Sequence, residues 1–283
     1  LEPVARRTIL KTVPAAAALA APARAIQEDA LKKTSCFAVV PDSSLALKPQ
    51  LKPINPATCI GGLKAAKALY LGEHHNSLRD HLLQADILRA LRRSEPKRRM
   101  AVGLEAIQRR FQPVLDEYLR GTINLAQLED QTEWSTRWTW PFANYVPVFE
   151  AAKQNNFELL ALNADSEDLG VVEMSGLAGL PNTTLAKYIP DRRVFADFTN
   201  TTAFREYIAY VVAPSYRSHK EMGILRQTIS GQRLKEDMPF KNFYSGRMLW
   251  DNSMANTGAA WTKRNPSGLL VSIVGADHVK FGG

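Results

Sequence analysis

The sequence predicts an α/β fold: a mostly parallel central sheet covered by helices on both faces, with a helical insertion. Three observations predict it. Short apolar runs that turn polar at their carboxyl ends recur at 66–73, 100–105, 157–163 and 268–275. Between them lie longer stretches with helical spacing of apolar residues. The last run, Gly268-Leu-Leu-Val-Ser-Ile-Val-Gly275, is apolar throughout, which suits a strand buried on both faces of a parallel sheet.

Residues 66–73 read as the first strand, closing on a Gly turn. A helix follows over 77–93, capped by Asn76 or Ser77 and striped by Leu78, Leu82, Ile87, Leu88 and Leu91. The second strand is 100–105. A helix over 112–120 stops at Gly121, and a short one spans 124–131. Pro141 opens and Asn155-Asn156 closes a helix over 142–154, which leads into the strand 157–163. The stretch 166–200, rich in Gly, Asn and Asp, shows no readable period. Helices are expected over 202–212 and 242–261. No repeat at solenoid periods is present, and no second domain is evident. The expected division is a leader over 1–25, an irregular Pro-rich arm over 26–65 and one α/β domain over 66–283. Within that domain, 176–245 is expected to be a helical insertion or lid.

The chain has 283 residues, 45% hydrophobic and 23% charged, enough for one large domain with a sizeable core. Net charge is +8. Without the first 25 residues it is 32 basic against 27 acidic, or +5, too mild for a nucleic-acid footprint. The densest basic run (Arg89, Arg92, Arg93, Lys97, Arg98, Arg99) falls where a helix should end. Cations there suit the helix dipole and the solvent, and no aromatics interleave with them as single-strand binding would favour.

The twin arginine Arg6-Arg7, a weak apolar stretch over 13–23 and an A-x-A pattern at Ala23-Arg24-Ala25 form an export signal. The stretch is too short to span a membrane, and no other segment is long and apolar enough. The protein is expected to be exported. A thylakoid lumen, reached behind a chloroplast transit peptide, is the first expectation, and a bacterial periplasm the alternative. Because the sequence starts at Leu1 and stops soon after a motif, both ends are expected to be cut. Cys36 and Cys59 flank a Pro-rich stretch; a disulfide between them and two free thiols are both open.

Function points to the strand ends. The first strand runs into Gly72-Glu73-His74-His75, the second into Gly103-Leu104-Glu105, the third into Asn163-Ala164-Asp165, and the fourth into Gly275-Ala276-Asp277-His278. In open α/β sheets ligands bind outside the carboxyl ends of the strands. If the strands are parallel, Glu73, His75, Glu105 and His278 meet there. Two imidazoles and two carboxylates can hold a divalent transition metal; alternatively Glu73 or Glu105 stays free as a general base for metal-bound water. A purely structural network is the bland alternative. Trp134, Trp138 and Trp140 either form an aromatic surface or pack in the core; Trp134 and Trp138 could share a helix face.

These residues resemble the ChaN-like haem-binding uptake family of the Tiki/TraB/erythromycin-esterase superfamily, over about 66–279. The matching pieces are Tyr70-Leu-Gly-Glu-His-His75 with the helix after it, Gly103-Leu-Glu105 with Gln112-Pro113, and Leu115 with Tyr118-Leu119. Trp140, Tyr145 to Ala152 and Asn163 follow, then Leu249-Trp-Asp251 with Met254-Ala255, and Gly275-Ala-Asp-His278-Val. The resemblance implies haem as cofactor, with Gly72, Glu73, His74, His75, Glu105, Asn163, Asp251 and His278 at the binding site, and a homodimer around it. The Tiki branch implies metal-dependent peptide hydrolysis instead. Two departures stand out: no lipidation Cys is present, and 166–200 diverges. No axial ligand for haem iron can be assigned; Tyr188, Tyr210, Tyr216, His219 and Met222 are eligible.

Overall fold

The computed structural model describes residues 31, 33–40 and 50–280. The expected leader lies outside these residues. The arm contributes β1 (Cys36–Val40) and β2 (Gln50–Ile54), an antiparallel pair, and then α1 (Pro56–Leu63). Cys36 and Cys59 are free thiols.

Four strands carry the domain: β3 (Ala68–Glu73), β4 (Met100–Gln108), β5 (Glu158–Asn163) and β6 (Leu269–Gly275). Their order is β3-β6-β4-β5 and every neighbouring pair is parallel. The last strand thus inserts between the first two, and the crevice above their carboxyl ends gathers β3, β6 and β4. β4 and β6 are buried along their whole length, and apart from Glu105, Gln108 and Ser272 their residues are apolar or glycine, as a central parallel strand favours.

Alternation along the strands sorts the side chains into two faces. Val102, Leu104, Val271 and Ile273 face α2 (Leu78–Ser94), and they also meet α6 (Phe142–Gln154), which follows α3 (Gln112–Arg120), α4 (Leu125–Gln131) and α5 (Trp134–Arg137). Leu88, Leu91, Val148 and Phe149 are fully buried there, each contributing about 1.5–3 kcal/mol. On the other face Leu162, Leu270 and Val274 meet Met254 and Trp261 of a 25-residue helix just before β6.

Between β5 and that helix come α7 (Ser166–Ser175), α8 (Asn182–Tyr188), α9 (Arg192–Thr199), α10 (Thr202–Tyr207) and α11 (Ala213–Glu221). The long helix is α12 (Phe240–Arg264). The stretch without a readable period is therefore three short α-helices and a 3-10 turn, Leu177–Gly179. α10 runs into α11 through a π-helical turn, Ile208–Val212.

The basic run does more than face solvent. Arg92 donates to the Asn155 carbonyl at 2.8 Å, and Arg98 to those of Ala66 and Gly268 at 2.7 and 2.8 Å. Both tie loops at the amino edge of the sheet, opposite the crevice. Among the described residues no helix is long and apolar enough to cross a membrane.

Candidate functional site

The turn after β3 is set by a cap. Ser77 Oγ accepts the Asp80 amide at 3.2 Å and donates to Asp80 Oδ1 at 2.9 Å, while the His74 amide donates to Asp80 Oδ2 at 2.9 Å. His74 is thereby turned outward, its ring on Asp80 and largely exposed, at the rim of the crevice. Gly72 leaves room for the turn after β6: a Cβ there would lie 3.0 Å from Val279 and 3.2 Å from Ala276.

Glu73 is buried and both its oxygens are used. Oε1 accepts from His75 Nδ1 at 2.9 Å and from the Tyr145 hydroxyl at 2.6 Å; Oε2 accepts from Gln84 at 2.9 Å. His81 Nδ1 donates to the Ser77 carbonyl at 2.7 Å, and its Nε2 faces Glu73 Oε2 at 3.2 Å, an ion-pair distance. Burial alone would raise the Glu73 carboxyl. The bonds from His75, His81 and Tyr145 and the charge of His81 outweigh it and hold the group well below the usual carboxylate range.

His75 is wedged between Trp138 and Trp140, with ring centroids 5.0 and 4.3 Å away. Its far edge lies over Gly275, where a Cβ would come within 2.6 Å of Nε2, so only glycine fits. With Nδ1–H on Glu73, the His75 lone pair is on Nε2.

A second network begins at Glu105. It accepts from the Gly275 amide and from His278 Nε2, the latter at 3.0 Å. His278 Nδ1 bonds Asp251; Asp251 Oδ2 accepts from the Tyr207 hydroxyl at 2.9 Å, and Arg247 Nε donates to the same hydroxyl at 2.9 Å. Two carboxylates thus face two cations, the balance a buried ionic cluster requires. Burial and Arg247 push the His278 imidazole down, but Glu105 and Asp251 prevail and raise it to about 9. Glu105 and Asp251 are held below their usual range: burial opposes this, and the His278 charge overcomes it.

The structure therefore brings Glu73, His75, Glu105, His278 and Asp251 together above β3, β6 and β4. It joins them as two hydrogen-bonded networks rather than as one metal shell. His278 spends both ring nitrogens on carboxylates. Among the described residues no group of three or more His, Cys, Asp or Glu side chains is disposed to hold a metal ion. Asn163 is buried at the end of β5 with its Oδ1 unpaired, and it does not line the crevice.

Sequence reasoning missed His81, Gln84, Tyr207 and Arg247 as site residues. The signal for the first two was present: His81, Gln84 and Leu88 share one face of α2, so two polar residues sit in an apolar stripe. Two of the three tryptophans resolve toward the core, while Trp140 stays partly exposed on the cleft wall. Trp134 and Trp138 are buried, and they do not share a helix face because α5 ends at Arg137 and Trp138 is extended.

A cleft of about 640 Å³ opens above the two networks. Its walls include Trp138, Trp140, Trp250, Arg247 and His219. His219 Nδ1 donates to the Ser215 carbonyl at 2.8 Å, which leaves the lone pair on Nε2. The other eligible iron ligands are disposed differently. Tyr188 is buried and bonds Asp168 at 2.7 Å, Tyr216 bonds the Met238 carbonyl at 2.9 Å, and Tyr210 and Met222 are exposed outside the cleft.

Comparisons with known proteins agree with this architecture. A family model described as haem-binding uptake, Tiki superfamily, ChaN matches residues 59–283. Protein RETICULATA-RELATED 5, chloroplastic, from Arabidopsis thaliana is 25% identical over 229 residues, covering 77% of this chain but only 28% of that protein. A solved structure described as cofacial heme binding to ChaN of Campylobacter jejuni superposes with a TM-score of 0.57 at 18% identity, covering 85% of this chain and 80% of that one. This is a likeness of fold. A mutant erythromycin esterase in its open conformation reaches a TM-score of 0.39 at 14% identity over 85% of this chain and 67% of its own. With the family model matching most of its length, the chain belongs to the ChaN family of haem-binding uptake proteins in the Tiki superfamily.

Proposed function

We propose that this chain binds a haem-type iron porphyrin in the tryptophan-walled cleft above β3, β6 and β4. The observation that carries the reading is the donor set of that cleft. His219 has the ring geometry of a metal-ligating imidazole, one nitrogen anchored on a carbonyl and the other free. The partly buried Trp140 and Trp250, with the buried Trp138 beside them, line a cleft suited to a flat aromatic macrocycle. Arg247 engages Tyr207 through its Nε, and its terminal nitrogens can take the carboxylates of a haem. The volume, about 640 Å³, falls in the range of small-molecule sites, about 300–1,000 Å³. Family membership supports the same ligand, and so does the cofacial heme binding described for the Campylobacter jejuni ChaN.

Bound there, haem would supply an iron centre. The chain's own part is to ligate it through His219, cover its faces and pair its carboxylates. His75 and Glu73 form the back wall, and Glu105 and His278 the floor. For the compartment we infer a thylakoid lumen. The Arg6-Arg7 leader and a relative named as chloroplastic support it. A homodimer around the cofactor is part of the same reading.

Titrating the purified chain with haem tests it, with sedimentation of the loaded sample for the dimer. The expected result is a saturable, shifted Soret band that His219→Ala displaces or abolishes while the far-ultraviolet dichroism stays unchanged. A spectrum identical to free haem overturns the reading. The alternative is a metal-dependent hydrolase, favoured by one observation: Glu73 orients His75 with Nε2 free to act as a base. That reading expects a chelator-sensitive activity lost in Glu73→Gln. Activity retained in that variant would sink it.

A further inference from the structure

A second cavity, about 650 Å³, lies on the other side of His278, between α9, α12 and the edge strand β3. It shares only His278 with the tryptophan-walled cleft. We propose that it is a separate binding site for a largely apolar small molecule that is uncharged or cationic, and that it rejects anions. The geometry rests on one face of α12. Asn252, Ala255, Asn256 and Ala259 follow helical spacing, and the two alanines leave the space that the cavity occupies. Phe195 and Phe198 of α9 close the opposite side.

The charge argument is independent of the shape. Among the described residues no Lys or Arg lines this cavity, whereas Asp191 and Asp251 do. The imidazolium in its wall, His278, is already held by Glu105 and Asp251. The neutral groups are also acceptors. Asn252 Nδ2 donates to the Met248 carbonyl at 2.9 Å, and Asn256 Nδ2 to the carbonyls of Tyr188 and Asn252 at 2.7 and 2.9 Å. These bonds fix which way each amide points and leave both Oδ1 atoms without a protein donor among the described residues. The Tyr70 hydroxyl, also without a protein partner there, and the second N–H of Asn252 are the donors these side chains supply. A ligand with an apolar body and an amine, amide or hydroxyl is matched; a carboxylate or sulfonate would meet acceptors and two carboxylates. The neighbouring cleft is different in kind: its walls carry both cations (Arg137, Arg247, Lys280) and carboxylates (Glu73, Glu105, Asp277).

The test uses two dyes on the full chain, neutral Nile red and the anionic anilinonaphthalene sulfonate, each followed by fluorescence. The blocking variant is Ala255→Trp, because Ala255 lines the cavity yet is solvent-exposed, so the core is untouched. A second variant, Ala259→Trp, blocks the same face one helical turn on. The expected result is saturable Nile red binding that either variant weakens by about tenfold or more, equivalent to about 1.4 kcal/mol. The anionic dye should show no component sensitive to these variants, and haem titration should be unchanged in both. No saturable Nile red binding, or binding indifferent to both variants, overturns the site. Variant-sensitive binding of the anionic dye as tight as that of Nile red overturns the charge selection.

Discussion

His278 carries its charge between two buried carboxylates, so its contribution to stability depends on where its proton leaves. In the folded chain its value is raised to about 9 from 6.5. A raised histidine stabilises fully below the unfolded value and loses that contribution as pH climbs through the folded one. Glu105 and Asp251 act in the opposite sense. Both are lowered, so they contribute above the ordinary carboxylate range and lose it as pH falls. Stability should therefore be flat from about pH 5 to 6.5 and decline toward 9. His278→Gln removes the cation and leaves two carboxylates facing across the gap. It should cost about 3–5 kcal/mol at pH 6 and erase most of the alkaline decline. Urea unfolding at pH 6 and pH 9 measures both. An alkaline decline of the same size in the variant would assign the effect to some other group.

At the scale of elements, the β3–α2 turn is the piece that aims His75, and Ser77 is its cap. Ser77→Ala removes one acceptor for the Asp80 amide and one donor to its carboxylate. The expected loss is about 1 kcal/mol, recovered in large part by Ser77→Thr; a urea midpoint unchanged in the alanine variant would show that Asp80 holds the turn alone. That turn was legible in the sequence because everything that makes it is local. The strand ends were legible too, since each apolar run turns polar where the sheet meets the crevice, as at Glu73 and Glu105. α7 to α9 were not. They are short; the buried residues of α7 and α8 (Leu169, Val172, Tyr188) pack with Leu249 on α12, far along the chain, and α9 has no buried residue. Half of the site is hidden for the same reason. Tyr145 reaches Glu73 across 72 residues, and Tyr207 reaches Asp251 across 44, so neither role is written in local spacing. The strand-end groups pair largely with one another, His75 with Glu73 and His278 with Glu105, and the helices add Gln84, Tyr145 and Asp251.

Taken as a whole, the molecule puts two cavities of nearly equal volume back to back on one ionic cluster, sharing α12 and otherwise closed by different elements. The tryptophan-walled cleft is closed by the segment from Ser135 to Trp140 and by α11 through Ser215 and His219. The acceptor-lined cavity is closed by α9 and the Asn252–Ala259 stretch of α12. A ligand that binds only the folded state stabilises by mass action, about 2.7 kcal/mol at a hundredfold excess over Kd. That energy is felt first by the elements it touches, because local opening rather than global unfolding limits exchange in short surface helices. Haem should therefore slow amide exchange in α11 and around Trp138–Trp140 while leaving α9 unchanged. Nile red should do the reverse. Exchange followed by mass spectrometry on the two loaded samples separates them. If haem instead protects α9 and the middle of α12, the porphyrin occupies the acceptor-lined cavity, and the assignment of ligands to the two sides of His278 must be exchanged.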